Sequence, residues 1–545
     1  MFRKSLTIGL GIAVSLLPTS MALGQTLRTW KDATGKFEVE ARLCRVDHES
    51  IVLRKPDGNI IIIPLKRLSN EDQRFVDDDH VMWAMFHMET YRSRKAYDLV
   101  KQQRTLGEKA VYATLIAQNL KSKGVDEFDR ERAKEIFDDI RTDLESSDEP
   151  LNWYLAARLY FEFEQSDESL NDKVIPLLNK CRRESEPYGM TLLAYLYYAG
   201  DGVEKNDDKS YELYDTVASK FGCSLSLCNA GLYTYSGLGT AQDRDAGKRM
   251  IDTAAKRGNL FAMCRMAEIL REELEDIDIP KISAGTVSAL KKGDRNARRT
   301  LRTYGTALKK RERLLNSAEQ WANKAIKGGF AGGYYQLARL KMTLAAEETD
   351  SAKSDEYSNA ATELLEKAAE RDQPNAVTFL AQFWASMDEL EKAKRYADQM
   401  DRISTSRIGQ GRIGQDVIDE TKRLVSSAIK DKEDHEKLLK SVTLIVESWT
   451  WRRTGGGSFV EVVGEVTNNS AKKLEAVAAI ATFKTSGGKV VTTDSSIIDY
   501  NPLLAGQTSP FKTITTWNPE MKTCSLNFKF LLGGRIPSIP RNLDD

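Results

Sequence analysis

The segment HVMWAMFHM (80–88) combines histidines and methionines at spacings that could serve metal chemistry. His80 and His87 are seven residues apart, which places them two turns apart on one side of a helix. Met82 and Met85 stand between them, and thioether sulfur is a ligand that suits Cu(I). The alternative is a helix that packs its apolar side, because methionine fills gaps in cores. The pattern favours core packing, and copper handling is the second interpretation.

The stretch GQGRIG (409–414) has the glycine spacing of a dinucleotide-binding loop. Such a loop follows a strand, opens a helix and is accompanied by an acidic residue about twenty positions later. The preceding ADQMDRISTSR is not strand-like, and the unit RIGQ is simply duplicated. We therefore predict that the stretch belongs to a linker, and we expect no cofactor.

Motifs of hydrolytic enzymes do not occur in the sequence. The chain has four histidines and contains no G-x-S-x-G, H-E-x-x-H or Walker motif. Its six cysteines show no C-x-x-C spacing, although Cys223 and Cys228 could pair across a turn. The sequence favours a non-enzymatic protein. A cell-envelope hydrolase with its site in the solenoid groove is the alternative, and carboxylates with raised pKa values converging in one pocket would favour it.

The charge balance argues against a nucleic-acid partner. The 80 basic and 80 acidic residues cancel, so the chain lacks the electrostatic footprint that binds phosphate backbones. We expect other proteins or extended peptides as partners, and the oligomeric state is open.

Glycines and alanines recur in a pattern that predicts helical repeats. Gly200 and Gly202 of YAGDGV return thirty-seven residues later as Gly237 and Gly239. A fixed period near thirty-six residues, built from two helices, predicts a solenoid. Glycine supplies positive φ at each reversal, and small residues let neighbouring helices pack closely. The residues that define the repeat are Ala194, Gly200, Gly202, Gly222, Gly231, Gly237, Gly239, Ala254, Ala255 and Gly258.

This pattern resembles the Sel-type repeat, a relative of the tetratricopeptide repeat. Two copies are clear at 188–223 and 224–259, and the predicted solenoid spans 149–400 with a charged insert at 272–306. A helical lead-in is expected at 79–148, and a linker with a connecting helix at 401–440. Stacked hairpins leave a concave groove, which we predict to be the protein-binding surface.

The N-terminal part predicts a small barrel at 25–78. In GKFEVEARLCRV (35–46), the alternation places Phe37, Val39, Ala41 and Leu43 on one face of a strand. Two more short strands, SIVLRK and NIIIIPL, flank the turn PDG.

Residues 28–76 resemble the SLA-homology domain. The resemblance depends on Trp30, Asp32, Gly35, Phe37, Val39, Ala41, Leu53, Gly58, Pro64 and the closing Leu68-Ser69-x-x-Asp72. It implies an SH3-like barrel that binds short Asn-Pro-Phe-type peptides, with adaptor, cytoskeletal and ubiquitin-binding roles.

Peptide-binding candidates on this barrel are one aromatic and three basic residues. Trp30 could contact a peptide, and Lys55, Lys66 and Arg67 could meet an acidic residue of the ligand. The alternatives are that Trp30 belongs to the barrel core and that the basic residues form solvated surface.

Residues 441–537 predict an immunoglobulin-like β-sandwich. Six short strands are separated by turn signals such as NNS and TSGG. GEVTNNS (464–470) and LAGQTSPF (504–511) resemble exported FxLYD-type domains, although TFK (482–484) stands where the signature tripeptide is expected. The last residues, 538–545, are predicted to be a tail.

The first residues predict export. Arg3 and Lys4 precede an apolar run at 6–17 and the small-residue site ALG at 22–24. The run is about twelve residues long, whereas a membrane helix needs roughly twenty, so a cleaved signal peptide at 1–24 is expected. The sequence thus predicts a multidomain α+β adaptor that is periplasmic or extracellular and has no membrane span in its mature chain.

Overall fold

The computed structural model describes residues 27–541 except for 48, 119, 165 and 404–414. The chain divides into two compact units, one formed by 1–383 with 395–421 and the other by 384–394 with 422–545. Within the described residues, the first unit holds a small sheet and a helical solenoid, and the second holds two sheets. The predicted multidomain α+β fold is therefore confirmed. The predicted signal peptide at 1–24 and the GQGRIG stretch lie outside the described residues.

A four-stranded antiparallel sheet opens the first unit. Its strands are β1 (Arg28–Lys31), β2 (Glu38–Val46), β3 (Ser50–Arg54) and β4 (Ile60–Pro64), in that spatial order. Asp32 forms an isolated bridge with Leu68, and the Ser69 N–H donates to the Lys31 carbonyl at 2.9 Å. The sheet thus curls towards an SH3-like barrel, because its first strand meets the chain that follows its last strand.

One predicted core position of this barrel is wrong. Ala41 and Leu43 are buried as the alternation predicts, but Phe37 is 52% exposed. The strand begins at Glu38, and Phe37 belongs to the preceding turn. That turn is held by Asp32, whose Oδ1 accepts the backbone N–H of Lys36 at 3.1 Å.

The helices follow one another along the rest of the first unit and into the second. Their bounds are α1 (Asn70–Asp77), α2 (His80–Glu89), α3 (Ser93–Val100), α4 (Leu106–Ile116), α5 (Arg130–Ser146), α6 (Pro150–Phe163), α7 (Asp167–Arg183), α8 (Pro187–Ala199), α9 (Asp207–Phe221), α10 (Ser224–Ser236), α11 (Arg244–Lys256), α12 (Leu260–Glu275), α13 (Ala284–Lys291), α14 (Arg295–Lys327), α15 (Gly332–Glu347), α16 (Ser351–Ala369), α17 (Pro374–Ser386), α18 (Leu390–Ile403) and α19 (Gln415–Ser441). Successive helices pair as hairpins, with α6 on α7, α8 on α9 and α10 on α11.

The charged insert predicted at 272–306 is largely helical. It contains the end of α12, all of α13 and the start of α14. From 295 to 313, Ala297 is the one buried residue, whereas Ala318, Ala322 and Ala325 further along α14 pack into the repeat. The first half of α14 is therefore a solvated projection, and its second half completes a hairpin.

The two glycines of each repeat loop have different tasks. Gly237 ends α10 in a left-handed conformation, and its N–H donates to the Tyr233 carbonyl at 2.8 Å. Gly239 also has a positive φ, of 62°, but a Cβ there would fall on the carbonyl of Asp207 at the start of α9. The second glycine therefore lets the loop lie against the preceding repeat. Gly200 and Gly202 are arranged in the same way in their own loop.

The remaining repeat-defining residues also lie where the helices reverse or meet. Gly222 and Gly258 have positive φ, and Ala194, Ala254 and Ala255 are fully buried. A Cβ on Gly231 would lie 3.0 Å from the Gly247 carbonyl. The α10–α11 hairpin is thus too close for a side chain at this position.

The second unit contains a β-sandwich. The strands are β5 (Leu444–Thr454), β6 (Phe459–Asn468), β7 (Val477–Lys484), β8 (Val490–Ile497), β9 (Thr508–Thr516), β10 (Thr523–Phe530), β11 (Arg535–Ile536) and β12 (Ser538–Pro540). They form two sheets, in the orders β11-β10-β7-β8 and β12-β5-β6-β9. Phe483, Phe511 and Phe528 are fully buried in the core of this unit. All six predicted strands are present.

The region predicted as a tail contributes the last of these strands. β12 runs parallel to β5, and the Arg541 N–H donates to the Val446 carbonyl at 2.9 Å. Arg541 also donates to Glu447 at 2.7 Å. The tail assignment missed this strand because three residues carry too short a pattern to predict one.

Candidate functional site

The first helices of the repeats surround a cavity of about 650 Å³. Helices α6, α8, α10 and α12 line one side of it. The end of α2 and the segment 91–123 line the other. We name this cavity the tyrosine chamber, after the seven tyrosines in its wall: Tyr91, Tyr154, Tyr188, Tyr195, Tyr198, Tyr214 and Tyr233.

The repeat places the lining residues in register. On α8, three lining residues follow the i, i+4, i+7 spacing of one helix face, and the same face returns thirty-seven residues later on α10. The equivalent pairs are Tyr188 with Leu225, Leu192 with Asn229, and Tyr195 with Leu232. This stripe could be read from the sequence once the period was known, but its members were not among the predicted site residues.

The predicted open groove is partly covered in the structure. Tyr91, which follows α2, packs its ring against Phe261 and Phe330 at centroid distances of 5.6 and 5.5 Å. The Thr90 carbonyl accepts the Leu260 N–H at 3.2 Å. The lead-in helices thus cover the concave side, because they bury apolar surface against the repeats instead of only preceding them.

A buried ion pair fixes this wall to the barrel. Arg45 on β2 donates to both carboxylate oxygens of Glu89 at 2.8 Å, and both side chains are almost fully buried. Glu89 Oε1 also accepts the Ser224 N–H at the start of α10, at 2.8 Å. One carboxylate therefore joins the barrel, the lead-in and the second clear repeat.

Three cationic residues line the chamber, and one of them, Arg265, is paired with Glu268 at 2.5 Å. Lys123 Nζ lies 4.9 Å from the centroid of the Tyr91 ring, and no carboxylate of the described residues lies within ion-pair distance of it. Burial, with the nearby positive charge of Arg158, lowers the pKa of Lys123 to about 8. Arg158 is 6% exposed. Its Nη1 lies 3.9 Å from Glu162, which also pairs with Arg130 at 3.1 Å.

The remaining lining groups offer hydrogen bonds and ring faces. Burial raises the pKa of Tyr154 and of Tyr233 to about 12, so both hydroxyls stay protonated at neutral pH. Burial likewise raises the pKa of the Cys223 thiol to about 12, which leaves little thiolate for nucleophilic chemistry. Such a wall can bind an aromatic or anionic ligand.

The chamber does not show the carboxylate cluster that a hydrolase would need. Among the described lining residues Glu89 is the one carboxylate, and it is committed to Arg45. The lining of the chamber therefore does not provide the carboxylate cluster that would have favoured the hydrolase alternative.

The peptide-binding candidates of the barrel do not form one surface. Trp30 is 1% exposed, and its Nε1–H donates to the Ala41 carbonyl at 3.0 Å. It belongs to the core and cannot contact a peptide, which corrects its assignment as a binding residue. Lys66 and Arg67 are exposed, and Lys55 is half-buried.

The motif that closes the SLA-homology resemblance holds the barrel together. Asp72 accepts the Lys31 N–H at 2.8 Å and the Arg28 Nε–H at 3.0 Å. Ser69 caps α1 by accepting the Asp72 N–H. On β3, Val52 is buried against Met190 and Phe221 of the solenoid. One outer face of the barrel is therefore already occupied.

The structure separates the residues of the copper interpretation. Met82 and Met85 are buried in the apolar core. His80 Nδ1 lies 3.3 Å from Glu108 Oε1, whereas the His87 ring contacts Trp83 and Phe86. In the described residues, no group of three or more His, Cys, Asp or Glu side chains could hold a metal.

The cysteine pair considered from the sequence is not bonded. Cys223 and Cys228 are both buried and free, and the other four cysteines are also free.

Comparison with known families matches residues 20–82 to the model described as SLA1 homology domain 1. Comparison with curated proteins gave no match. Two solved structures resemble parts of the chain. A Sel1 repeat protein from Oxalobacter formigenes is 17% identical, covers 47% of this chain and 94% of its own length, and has a TM-score of 0.29. The antigen c5321 of uropathogenic Escherichia coli, which has an SLR fold, is 15% identical, covers 70% of this chain and 90% of its own, and has a TM-score of 0.23.

Of the helices that the structure describes, none is both long enough and apolar enough to cross a membrane.

Proposed function

We propose that this protein is a non-catalytic adaptor that binds an extended polypeptide segment in the tyrosine chamber. One observation carries the proposal: the same helix face, repeated from α6 to α12, surrounds a single cavity with aromatic rings and polar groups. Repeat proteins use the concave side of the stack for binding. A volume of about 650 Å³ is within the range of pockets that enclose a ligand.

The composition of the wall suits a polypeptide. Tyrosine gives a large contact area with few rotatable bonds, and its hydroxyl can bond to a peptide group. Gln118 and Asn229 also line the chamber, and their amides can both donate and accept. An extended chain could therefore satisfy its backbone groups there while its side chains contact the rings.

The barrel has a supporting task in this proposal. Its match to the SLA1 homology domain is consistent with an interaction protein. However, Trp30 is in its core, and the Arg45–Glu89 pair ties β2 to the chamber wall. We therefore assign recognition to the chamber and positioning of the wall to the barrel.

Photo-crosslinking from the chamber mouth tests this function. Tyr198 lines the chamber and is 45% exposed, and Tyr500 in the sandwich is 47% exposed, which makes it a matched control. A photoreactive phenylalanine at position 198 of the full chain should crosslink a polypeptide, whereas one at position 500 should not. Ser236 lines the chamber and is exposed, so Ser236→Trp should obstruct the chamber opening and abolish crosslinking at 198. Equal labelling from both positions, or labelling that survives Ser236→Trp, contradicts the proposal.

We also propose that the protein acts outside the cytoplasm. The charged start, the apolar run and the ALG site of residues 1–24 support this. The N-terminus of the mature chain should be Gln25, as measured by mass spectrometry of the exported fraction. A chain that keeps Met1 and stays in the cytoplasm would contradict the proposal.

A further inference from the structure

The tyrosine chamber carries positive charge that its own carboxylates do not balance. Glu89 is neutralised by Arg45, and Glu162 is shared between Arg158 and Arg130. Lys123 has no carboxylate within ion-pair distance among the described residues. An uncompensated charge in a partly desolvated site is costly unless a counter-ion reaches it.

Two buried donors in the same wall also lack hydrogen-bond partners. Arg158 Nη1 and the Tyr188 hydroxyl are buried, and neither has a hydrogen-bond partner in the described part of the chain. Both residues line the chamber, and their exposed fractions are 6% and 7%. The rings of Tyr154 and Tyr188 lie 5.8 Å apart, and Arg158 is hydrogen-bonded to Tyr154. The unpartnered donors therefore belong to one contiguous part of the wall.

From this geometry we propose that Lys123 and Arg158 bind a carboxylate of the polypeptide ligand, with the Tyr188 hydroxyl as a further donor. The inference rests on the proposed function and names the chemistry that the chamber selects. A guanidinium and an ammonium give charge-assisted hydrogen bonds to a carboxylate. The carboxylate comes either from the C-terminus of the ligand or from an Asp or Glu side chain, and these two sources share the same chemistry.

Ligand binding and the stability of the fold should depend on Arg158 in different ways. Without ligand, Arg158 is a buried charge that Glu162 balances only in part. Because Glu162 keeps its pair with Arg130 at 3.1 Å, replacing Arg158 with methionine leaves no carboxylate without a cation and should leave the melting temperature unchanged or raise it. A residue that lowers the stability of the fold but lines a cavity is typical of a binding site.

Binding of defined peptide pools to the full chain tests the proposal. The probes are three pools of random hexapeptides. One has a free C-terminal carboxylate and no acidic side chain, one has a C-terminal amide and an internal glutamate, and one has a C-terminal amide and glutamine instead. Immobilised protein should retain one of the carboxylate pools at least tenfold better than the neutral pool, as measured by mass spectrometry. The pool that is retained identifies the source of the carboxylate.

Five variants show whether the named cations are responsible. Lys123→Gln and Arg158→Met should each lower retention at least fivefold. Lys95→Gln on α3 and Arg182→Met on α7 remove exposed charges that do not line the chamber, and they should leave retention unchanged. Arg158→Lys should restore part of the binding.

The outcomes distinguish this inference from the proposed function. The carboxylate site is ruled out if the neutral and acidic pools are retained equally. It is also ruled out if Lys123→Gln and Arg158→Met do not change the retention of the peptides. If that retention is still lost in Ser236→Trp, the chamber binds polypeptide by other means and the proposed function holds. If no pool is retained at all, both fail.

Discussion

The link between Arg45 and Glu89 should be the most sensitive point of the first unit. We consider Arg45→Met, which keeps most of the side-chain volume and removes the charge. Glu89 would keep its bonds from the Ser224 N–H at 2.8 Å and the Ser224 hydroxyl at 2.9 Å. It would lose both charge-assisted bonds to Arg45 and remain as a buried carboxylate without a cation.

The expected cost is large because only one partner is removed. Breaking a buried ion pair in this way costs about 3–5 kcal/mol. Arg42 is exposed on the same strand, so Arg42→Met should change the stability by less than about 0.5 kcal/mol. The double variant Arg45→Met with Glu89→Met holds no buried charge. Its main loss is the acceptor of the Ser224 N–H, about 1–3 kcal/mol. The double variant should therefore be more stable than the single variant Arg45→Met.

Native-state hydrogen exchange is the suitable assay, because a chain of two units need not unfold in one step. In Arg45→Met, amides of β2 and of the first turn of α10 should exchange roughly a hundred to a few thousand times faster, since every 1.4 kcal/mol corresponds to about a factor of ten. In Arg42→Met their exchange should not change. Exchange in Arg45→Met that equals wild type, or single-variant losses that simply add in the double variant, would refute the reasoning.

Three further predictions concern the loop residue Gly239, the buried carboxyl of Glu186 and the ammonium of Lys123. Gly239→Ala would place a Cβ on the carbonyl of Asp207 at a positive φ, so we expect a loss of about 1–3 kcal/mol in urea unfolding, whereas Gly305→Ala, which meets open space on α14, should gain up to about 1 kcal/mol. Burial raises the pKa of Glu186 to about 8. The folded state therefore holds this proton more tightly than the unfolded state, and stability should fall by up to about 1.4 kcal/mol per pH unit between about pH 4.5 and 8. Glu186→Gln should remove that decline from the melting temperature, and an unchanged pH profile would contradict the assignment. The pKa of Lys123 is lowered to about 8, so retention of the carboxylate peptides should weaken from pH 7 to pH 9. In Lys123→Arg, whose side chain stays charged, retention of the peptides should remain constant over this range. A parallel decline in the wild-type protein and in Lys123→Arg would count against the site.

The periodic parts of the fold could be predicted from the sequence. The thirty-seven-residue spacing of Gly200 with Gly237 located the repeat loops, because a left-handed turn and a close backbone approach both demand glycine. The six strands of the sandwich were also predicted, since each runs for eight or more residues between clear turn signals. Local patterns were sufficient wherever neighbouring residues determine the structure.

The covering of the chamber by the lead-in segment could not be predicted in this way. It depends on contacts of Tyr91 with Phe261 and Phe330, and no local pattern encodes pairs so far apart in the chain. Trp30 illustrates the same limit, because an aromatic residue at the start of a strand is compatible with both core and surface. The lining stripe of α8 and α10 is different: its signal was present at the repeat period and can be sought in any such sequence.

A hydrogen-exchange footprint of the full chain with a retained carboxylate peptide tests the central claim most directly. The account predicts slower exchange in α8, in α10 and around Lys123 when the peptide is bound, with no change in strands β1–β4. Protection confined to β1–β4, with α8 and α10 unaffected, would show that the barrel and not the chamber is the binding site.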